Sequence, residues 1–389
     1  MQEKKKILIL IPHYLPGNKF GGPLTSIVNL IDNLAGEYSF FVLTKDRDLG
    51  DSSPYEGIEK NRWINKDKYH INYISKKFLF ILNLLIQVNK NPAHILYING
   101  FFDPLFSISI LIANKFGMLN SKNIIVAPRG ELYDEALKIK KNKKRFFLWF
   151  ASKINLYKNI TFHASTDYEK NLIVKNLQVK SSNVRVAINM ANVDGNVLVN
   201  DNNNHFINNI NSVKIVFLSR ISKDKNIGYT FDIMQHLKLN VIFDIYGPIE
   251  DEYIWNDCRQ KIMHLPSNII VNYKGVVQKC DVKHILSQYD LMFLPTFAEN
   301  YGHVIVECLL VGTPVLISDN TPWRNLELDG LGWDINLKRT ELFTEAINKF
   351  AIGELTGLKS REEISNTFKK RLQDPLIYEA NKKLFKFTN

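Results

Sequence analysis

Short, unbroken apolar runs recur along this chain with helix-length stretches between them. In the first half they are ILILI at 7–11, FFVLT at 40–44, HILYI at 94–98 and NIIVA at 123–127. The second half repeats the plan with KIVFLSR at 214–220, NVIFDIYG at 240–247, NIIVNYKG at 268–275, DLMFLP at 290–295 and TPVLIS at 313–318. A strand with one wet face alternates apolar and polar residues, so continuous runs mark strands covered on both faces, as in a parallel sheet flanked by helices. The expected fold class is α/β, with two doubly wound Rossmann-like domains. A length of 389 residues suits two domains. The Asn-rich segment VNDNNNHFINNINS, where apolar periodicity lapses, separates them. The expected boundaries are 1–199, a linker at 200–212, 213–365, and a C-terminal helix at 366–389 packing back toward the first domain.

Composition narrows the function classes. No apolar run reaches the roughly 18 to 20 residues of a membrane span, and FLFILNLLIQV at 78–88 is short and holds Asn83. The basic start MQEKKKILILIPHYLP has too brief an apolar stretch for a signal peptide and reads as a first buried strand. Cys258, Cys280 and Cys308 are far apart and odd in number, which fits neither a disulfide framework nor a zinc knuckle and suits a reducing compartment. The histidines show no metal-ligand spacing, so no metal is expected. A net charge of +11 calls for an anionic partner: nucleic acid, lipid headgroups or a phosphorylated substrate.

In a doubly wound sheet, ligands sit beyond the carboxyl ends of the strands, so the informative residues follow the apolar runs. After DLMFLP comes ENYGHVIVE, with Glu299 and Glu307 flanking an expected helix start at Asn300, Tyr301 and Gly302. Free backbone N–H groups there favour a phosphate, Gly302 permits close approach, and the two carboxylates can accept from neighbouring hydroxyls. That grouping suits a sugar nucleotide. Spacing alone equally allows a capping carboxylate and a salt-bridged one. FLSRISKDKN places Arg220 and Lys225 in one loop, where two cations could neutralise a departing diphosphate. KFGGPLTS, with Gly21 and Gly22, lets the backbone approach a ligand but lacks the GxGxxG pattern of a dinucleotide site. APRGELYDEA offers Arg129 and Glu131 as acceptor-side candidates. The stretch KIKKNKKRFFLWF that follows has six basic residues from Lys138 to Arg145 running into Phe146, Phe147, Trp149 and Phe150. Such a segment suits peripheral contact with an anionic membrane, and equally a helix with one solvated and one core face.

Together these residues resemble glycosyltransferase family 4, the group-1 glycosyltransferases with the GT-B fold. The E-x7-E motif from Glu299 to Glu307, followed by SDNTPW and GLGW, carries most of the likeness. FLSRISKDKN, DIYGPIEDEYIW, YKGVV and the GGP loop add to it, and PRGELYDEALKIKKNKK is similar to members acting in bacterial surface polysaccharide assembly. The resemblance implies two domains facing each other across a cleft. It further implies retaining, metal-independent, hexosyltransferase-type transfer from a UDP- or GDP-sugar to a glycan or lipid-linked acceptor in capsule, O-antigen or exopolysaccharide synthesis. Carried over by residue, Arg220, Lys225 and Glu299 are the catalytic set. Gly21, Gly22, Asn300, Tyr301, Gly302 and Glu307 contact the donor, with Tyr246, Gly247, Pro248, Gly275 and Val276 near its base. Two departures stand out: Ser219 replaces the family's usual Gly before its Arg, and Pro128, Arg129 and Gly130 stand where many members have a His. The expected location is the cytoplasm, at the inner face of the membrane. Rival readings are a sugar-nucleotide epimerase or hydrolase of the same fold, and a non-catalytic assembly subunit. Nucleic-acid binding ranks last, because the basic cluster lies in no nucleic-acid motif.

Overall fold

The structure is a computed structural model describing residues 4–75, 79–91, 93–193, 212–352 and 358–387. The chain forms two compact units, Met1–Asn192 with Pro375–Asn389, and Val193–Asp374. Of the expected linker, residues 200–211 lie outside the described residues.

In the first unit the elements run β1 (Lys5–Leu10), α1 (Gly22–Leu34), β2 (Tyr38–Lys45), β3 (Trp63–Asn65), β4 (Tyr69–Ile74), α2 (Phe80–Lys90), β5 (Ile95–Asn99), α3 (Ser109–Lys115), β6 (Ile124–Ala127), α4 (Asp134–Lys138), α5 (Lys141–Lys153), β7 (Ile160–Ala164), α6 (Asp167–Leu177) and β8 (Val184–Val186). The sheet order is β3-β4-β2-β1-β5-β6-β7-β8, parallel throughout except for β3 against β4. Both faces are buried, which is why β1 reads as an unbroken apolar run. Leu8 and Leu10 enter the core under α2, α3 and α5, whereas Ile7 and Ile9 enter the core under α1. Each such side chain contributes about 1.5–3 kcal/mol on burial.

The second unit holds β9 (Ser212–Leu218), α7 (Gly228–Met234), β10 (Asn240–Tyr246), α8 (Glu252–Met263), β11 (Ile269–Gly275), α9 (Val282–Leu286), β12 (Leu291–Leu294), α10 (His303–Leu310), β13 (Val315–Ser318), β14 (Gly332–Ile335), α11 (Thr340–Ala351) and α12 (Arg361–Leu372). Its sheet, β11-β10-β9-β12-β13-β14, is parallel throughout. Strand order reverses between β9 and β12, the switch point beyond whose carboxyl ends the ligands of such sheets bind.

The C-terminal helix expected at 366–389 is two helices. Arg361 anchors α12 to the second unit by donating to Tyr289 O at 2.6 Å and Thr313 Oγ1 at 2.9 Å. The residue before a proline disfavours helical backbone, and the break falls at Asp374 ahead of Pro375. A thirteenth helix, α13 (Pro375–Leu384), then joins the first unit, where Leu384 and Phe385 are buried with Ile7 and Tyr97.

Candidate active site

The loops after β9 and β12 hold the residues that sequence reasoning singled out in the second unit. The β9 loop carries Arg220 and a 3-10 turn at Lys223–Lys225; the β12 loop carries Glu299 and ends at α10. Backbone and side-chain bonds tie the loops together. Phe297 N and Thr296 Oγ1 both donate to Asp224 O at 2.8 Å, and Asn226 Nδ2 donates to Pro295 O at 3.0 Å.

On this frame Lys225, only 7% exposed, donates to Glu299 Oε2 at 2.7 Å and lies 3.5 Å from Asp224. An enclosed ammonium is costly unless it is paired and hydrogen-bonded, and these two carboxylates supply that pairing. Arg220 is more open and pairs with Glu250 at 2.7 Å and Asp224 at 3.7 Å. Asp224 and Glu250 are not signalled by the sequence, although both lie inside its motifs SKDKN and GPIEDEY. Acidic residues in basic loops read as solvated from sequence alone; here they hold the two cations in place.

Gly302 is the N-cap of α10 with φ 77°, no side chain caps the helix, and its first turn holds no acid. A Cβ at Gly302 would stand 2.7 Å from Ile305 Cδ1 and 3.1 Å from Glu299 Cγ, so glycine is needed for space as well as backbone angle. The helix dipole and the lack of a side-chain cap make this end attractive to an anion. Tyr301 is buried against Trp323, so what it offers at the helix start is backbone.

Glu307, one and a half turns into α10, is partly buried and has neither a hydrogen bond nor an ion pair among the described residues. Burial pushes its carboxyl up to about 7, with Lys279 and Lys283 acting only at a distance in the opposite sense. A carboxylate held without a partner costs stability, and hydroxyl donors from a ligand would relieve that cost.

Tyr246, Gly247 and Pro248 are stitched to the β9 loop: Ser219 N donates to Tyr246 O at 3.0 Å and Ile221 N to Pro248 O at 2.9 Å. Gly247 approaches so closely that a Cβ there would lie 1.9 Å from Ser219 O. Gly247 N in turn donates to Gly275 O at 2.8 Å, and Val276 beside it is 68% exposed. The structure thus brings together Arg220, Lys225, Glu299, Asn300 to Gly302, Tyr246 to Pro248, Gly275 and Val276 at the carboxyl end of one sheet.

In the first unit, Gly21 caps α1 with φ 64° and open space where a Cβ would stand, with Gly22 as the first helical residue. Arg129 and Glu131 follow β6. Glu131 accepts from Phe101 N at 3.1 Å and Phe102 N at 2.8 Å, which commits both oxygens to the loop after β5. In α5, Phe147 and Leu148 pack on the core while Phe146, Trp149 and Phe150 stand exposed beside Lys141, Lys143 and Arg145. No helix among the described residues is long and apolar enough to cross a membrane.

Residues 200–371 match the family model described as glycosyl transferases group 1. A protein of Klebsiella pneumoniae, described as an uncharacterized 41.2 kDa protein in the cps region, is 23% identical over 307 residues, covering 77% of this chain and 81% of its own. Among solved structures, Anabaena Alr3699/HepE in complex with UDP and glucose superposes with a TM-score of 0.67 at 14% identity, covering 98% of each chain. Sucrose-phosphate synthase from Thermosynechococcus elongatus gives 0.68 at 13% identity over 98% of this chain and 99% of that one. WaaG, a glycosyltransferase involved in lipopolysaccharide biosynthesis, gives 0.62 at 14%, covering 97% and 98%. Residues 200–371 are therefore similar to group 1 glycosyl transferases, and the chain has the GT-B fold.

Proposed function

We propose that this protein is a retaining, metal-independent glycosyltransferase that moves a hexosyl group from a nucleoside diphosphate sugar to a glycan or lipid-linked acceptor in the assembly of a bacterial surface polysaccharide. The observation that carries the reading is the arrangement around α10: a helix end without a side-chain cap, flanked by Glu299, paired to Lys225, and by Glu307, which has no partner among the described residues. A diphosphate at the helix end, sugar hydroxyls on Glu299 and ribose hydroxyls on Glu307 would use every group present. HepE was crystallised with UDP and with UDP-glucose, which favours UDP as the nucleotide here, and the Klebsiella relative's cps region favours capsule synthesis.

In the step itself, the bond between the sugar's anomeric carbon and the diphosphate oxygen breaks, and the acceptor oxygen bonds that carbon from the same face. The acceptor's proton passes to the departing phosphate oxygen. Arg220 and Lys225 stabilise the charge that grows on the diphosphate, and stabilisation of this kind contributes about 3–4 kcal/mol per well-placed donor. Glu299 orients the sugar through its hydroxyls and holds the Lys225 ammonium in place. The test is a panel of UDP- and GDP-sugars scored for slow donor hydrolysis. The reading expects one donor to be cleaved and Glu307→Ala to abolish the cleavage; no cleavage of any donor, or an unaffected Glu307→Ala, overturns it.

The exposed Phe146, Trp149 and Phe150 beside the cations of α5 support peripheral attachment to anionic membrane, where the rings enter the acyl boundary and the cations meet headgroups. Co-sedimentation with phosphatidylglycerol vesicles, with a blue shift in Trp149 emission, is expected. Replacing Lys140, Lys141, Lys143 and Arg145 with Gln should release the protein; binding that survives this change or ignores vesicle charge refutes the attachment.

A further inference from the structure

Arg129 stands at the carboxyl end of β6 with φ 56°, a left-handed backbone that costs a non-glycine residue energy. Its guanidinium is held on three sides by neutral acceptors. Nε donates to Asn99 Oδ1 at 2.7 Å, Nη2 to Tyr97 Oη at 2.8 Å, and Nη1 to Asn189 Oδ1. Among the described residues no carboxylate pairs with it. The acids nearest in the chain and in space are already committed: Glu169 accepts from Gly130 N and Ser165 N, each at 2.7 Å, and Glu131 accepts from Phe101 N and Phe102 N.

The mount is itself braced. Tyr97 Oη shares a 2.6 Å hydrogen bond with His163 Nδ1, and His163 Nε2 lies 2.8 Å from Ala187 O. Burial, with the nearby Arg129 charge, holds His163 down to about 3, so it stays neutral and adds no charge of its own. Asn99 also donates through Nδ2 to Pro23 O at 3.2 Å, which ties Arg129 to the first turn of α1. Strand order in this sheet reverses between β1 and β5, so Asn99 and Pro23 stand at the crevice where ligands of such sheets bind. A guanidinium has five N–H donors, and three are used. What remains, among the described residues, is an oriented, partly exposed positive charge with two donors unused and no ion-paired carboxylate, Glu169 acting on it only at a distance; a rigid fork of this kind suits an oxyanion.

We infer that Arg129 binds an oxyanion carried by the acceptor, either the phosphate of a lipid-linked glycan or the carboxylate of an acidic sugar. The word acceptor rests on the transferase reading; the anion site itself does not. The full chain bearing Arg220→Ala and Lys225→Ala, which removes the cations of the other sheet, is titrated with methyl phosphate and separately with glucuronate. Saturable binding of one of them is expected, weakened at least tenfold by adding Arg129→Met and within threefold of the parent with Arg129→Lys. The tighter anion tells phosphate from carboxylate. Failure of both to bind, or equal binding by the Arg129→Met chain, overturns the proposal. If Arg129→Met does not fold, protection of Arg129 from phenylglyoxal by the same anions, read by peptide mass spectrometry on the parent chain, decides instead: protection supports the site and its absence refutes it. A UDP titration of the wild-type chain runs alongside, and its failure would count against the transferase reading while leaving the anion result standing.

Discussion

Replacing Glu307 with Gln should make the protein more stable at alkaline pH while impairing it as an enzyme. Below about pH 4.5 the carboxyl is protonated in both folded and unfolded chains, so wild type and variant differ little. As pH rises, the unfolded chain releases its proton near the usual 4.5, whereas the folded chain keeps it until about 7. Wild-type stability therefore falls across that window and levels off above it. The gap between 4.5 and about 7, at 1.36 kcal/mol per pKa unit, sets a ceiling of about 3 kcal/mol, and partial solvent access trims it to about 1–3 kcal/mol. Glu307→Gln carries no such cost. Its advantage over wild type in urea unfolding should be near zero at about pH 3.5 and reach about 1–3 kcal/mol at pH 8, roughly 2–4 °C in Tm per kcal/mol for a unit of this size. A variant equally or less stable at pH 8 would refute the claim that Glu307 is an unpartnered carboxylate kept for a ligand.

Lys225→Met should lower stability by about 3 kcal/mol in urea unfolding, because Glu299 is left enclosed without its partner, and should abolish transfer. Gly302→Ala should cost about 2 kcal/mol through its positive φ and the crowding at Ile305, and should lower kcat by displacing the helix end. Glu250→Gln should tighten nucleoside diphosphate binding up to about fivefold, since an exposed pair of at most about 1 kcal/mol no longer competes for Arg220; weaker binding would make Glu250 a positioning residue instead.

The nine apolar runs in the sequence all fall in strands, with edges that shift by only a residue or two; most are buried on both faces of a parallel sheet, while the edge strand β11 leaves Ile270 and Tyr273 exposed. The strands that escaped notice carry weaker patterns. YHINYI in β4 interleaves polar residues, β8 is a three-residue edge, and GWDI in β14 has two apolar positions. Reading the sequence end as one helix passes over Pro375, which disfavours helical backbone at Asp374 and divides α12 from α13. At the site, Arg220, Lys225, Glu299 and Glu307 stood out as charges beside apolar strands. Asp224 and Glu250 did not, since what they do depends on pairing set by loop geometry. The bracing of Arg129 by Tyr97, Asn99 and Asn189 joins residues 30 or more apart in the chain, and no spacing in the sequence signals it.

The central claim, that the crevice between β9 and β12 holds a nucleoside diphosphate, is tested most directly by calorimetric titration of UDP and GDP into the wild-type chain, Lys225→Met and Glu307→Gln. One nucleotide should bind the wild type with a single site and bind each variant at least tenfold more weakly. Absence of binding by either nucleotide, or equal binding to all three chains, would contradict it.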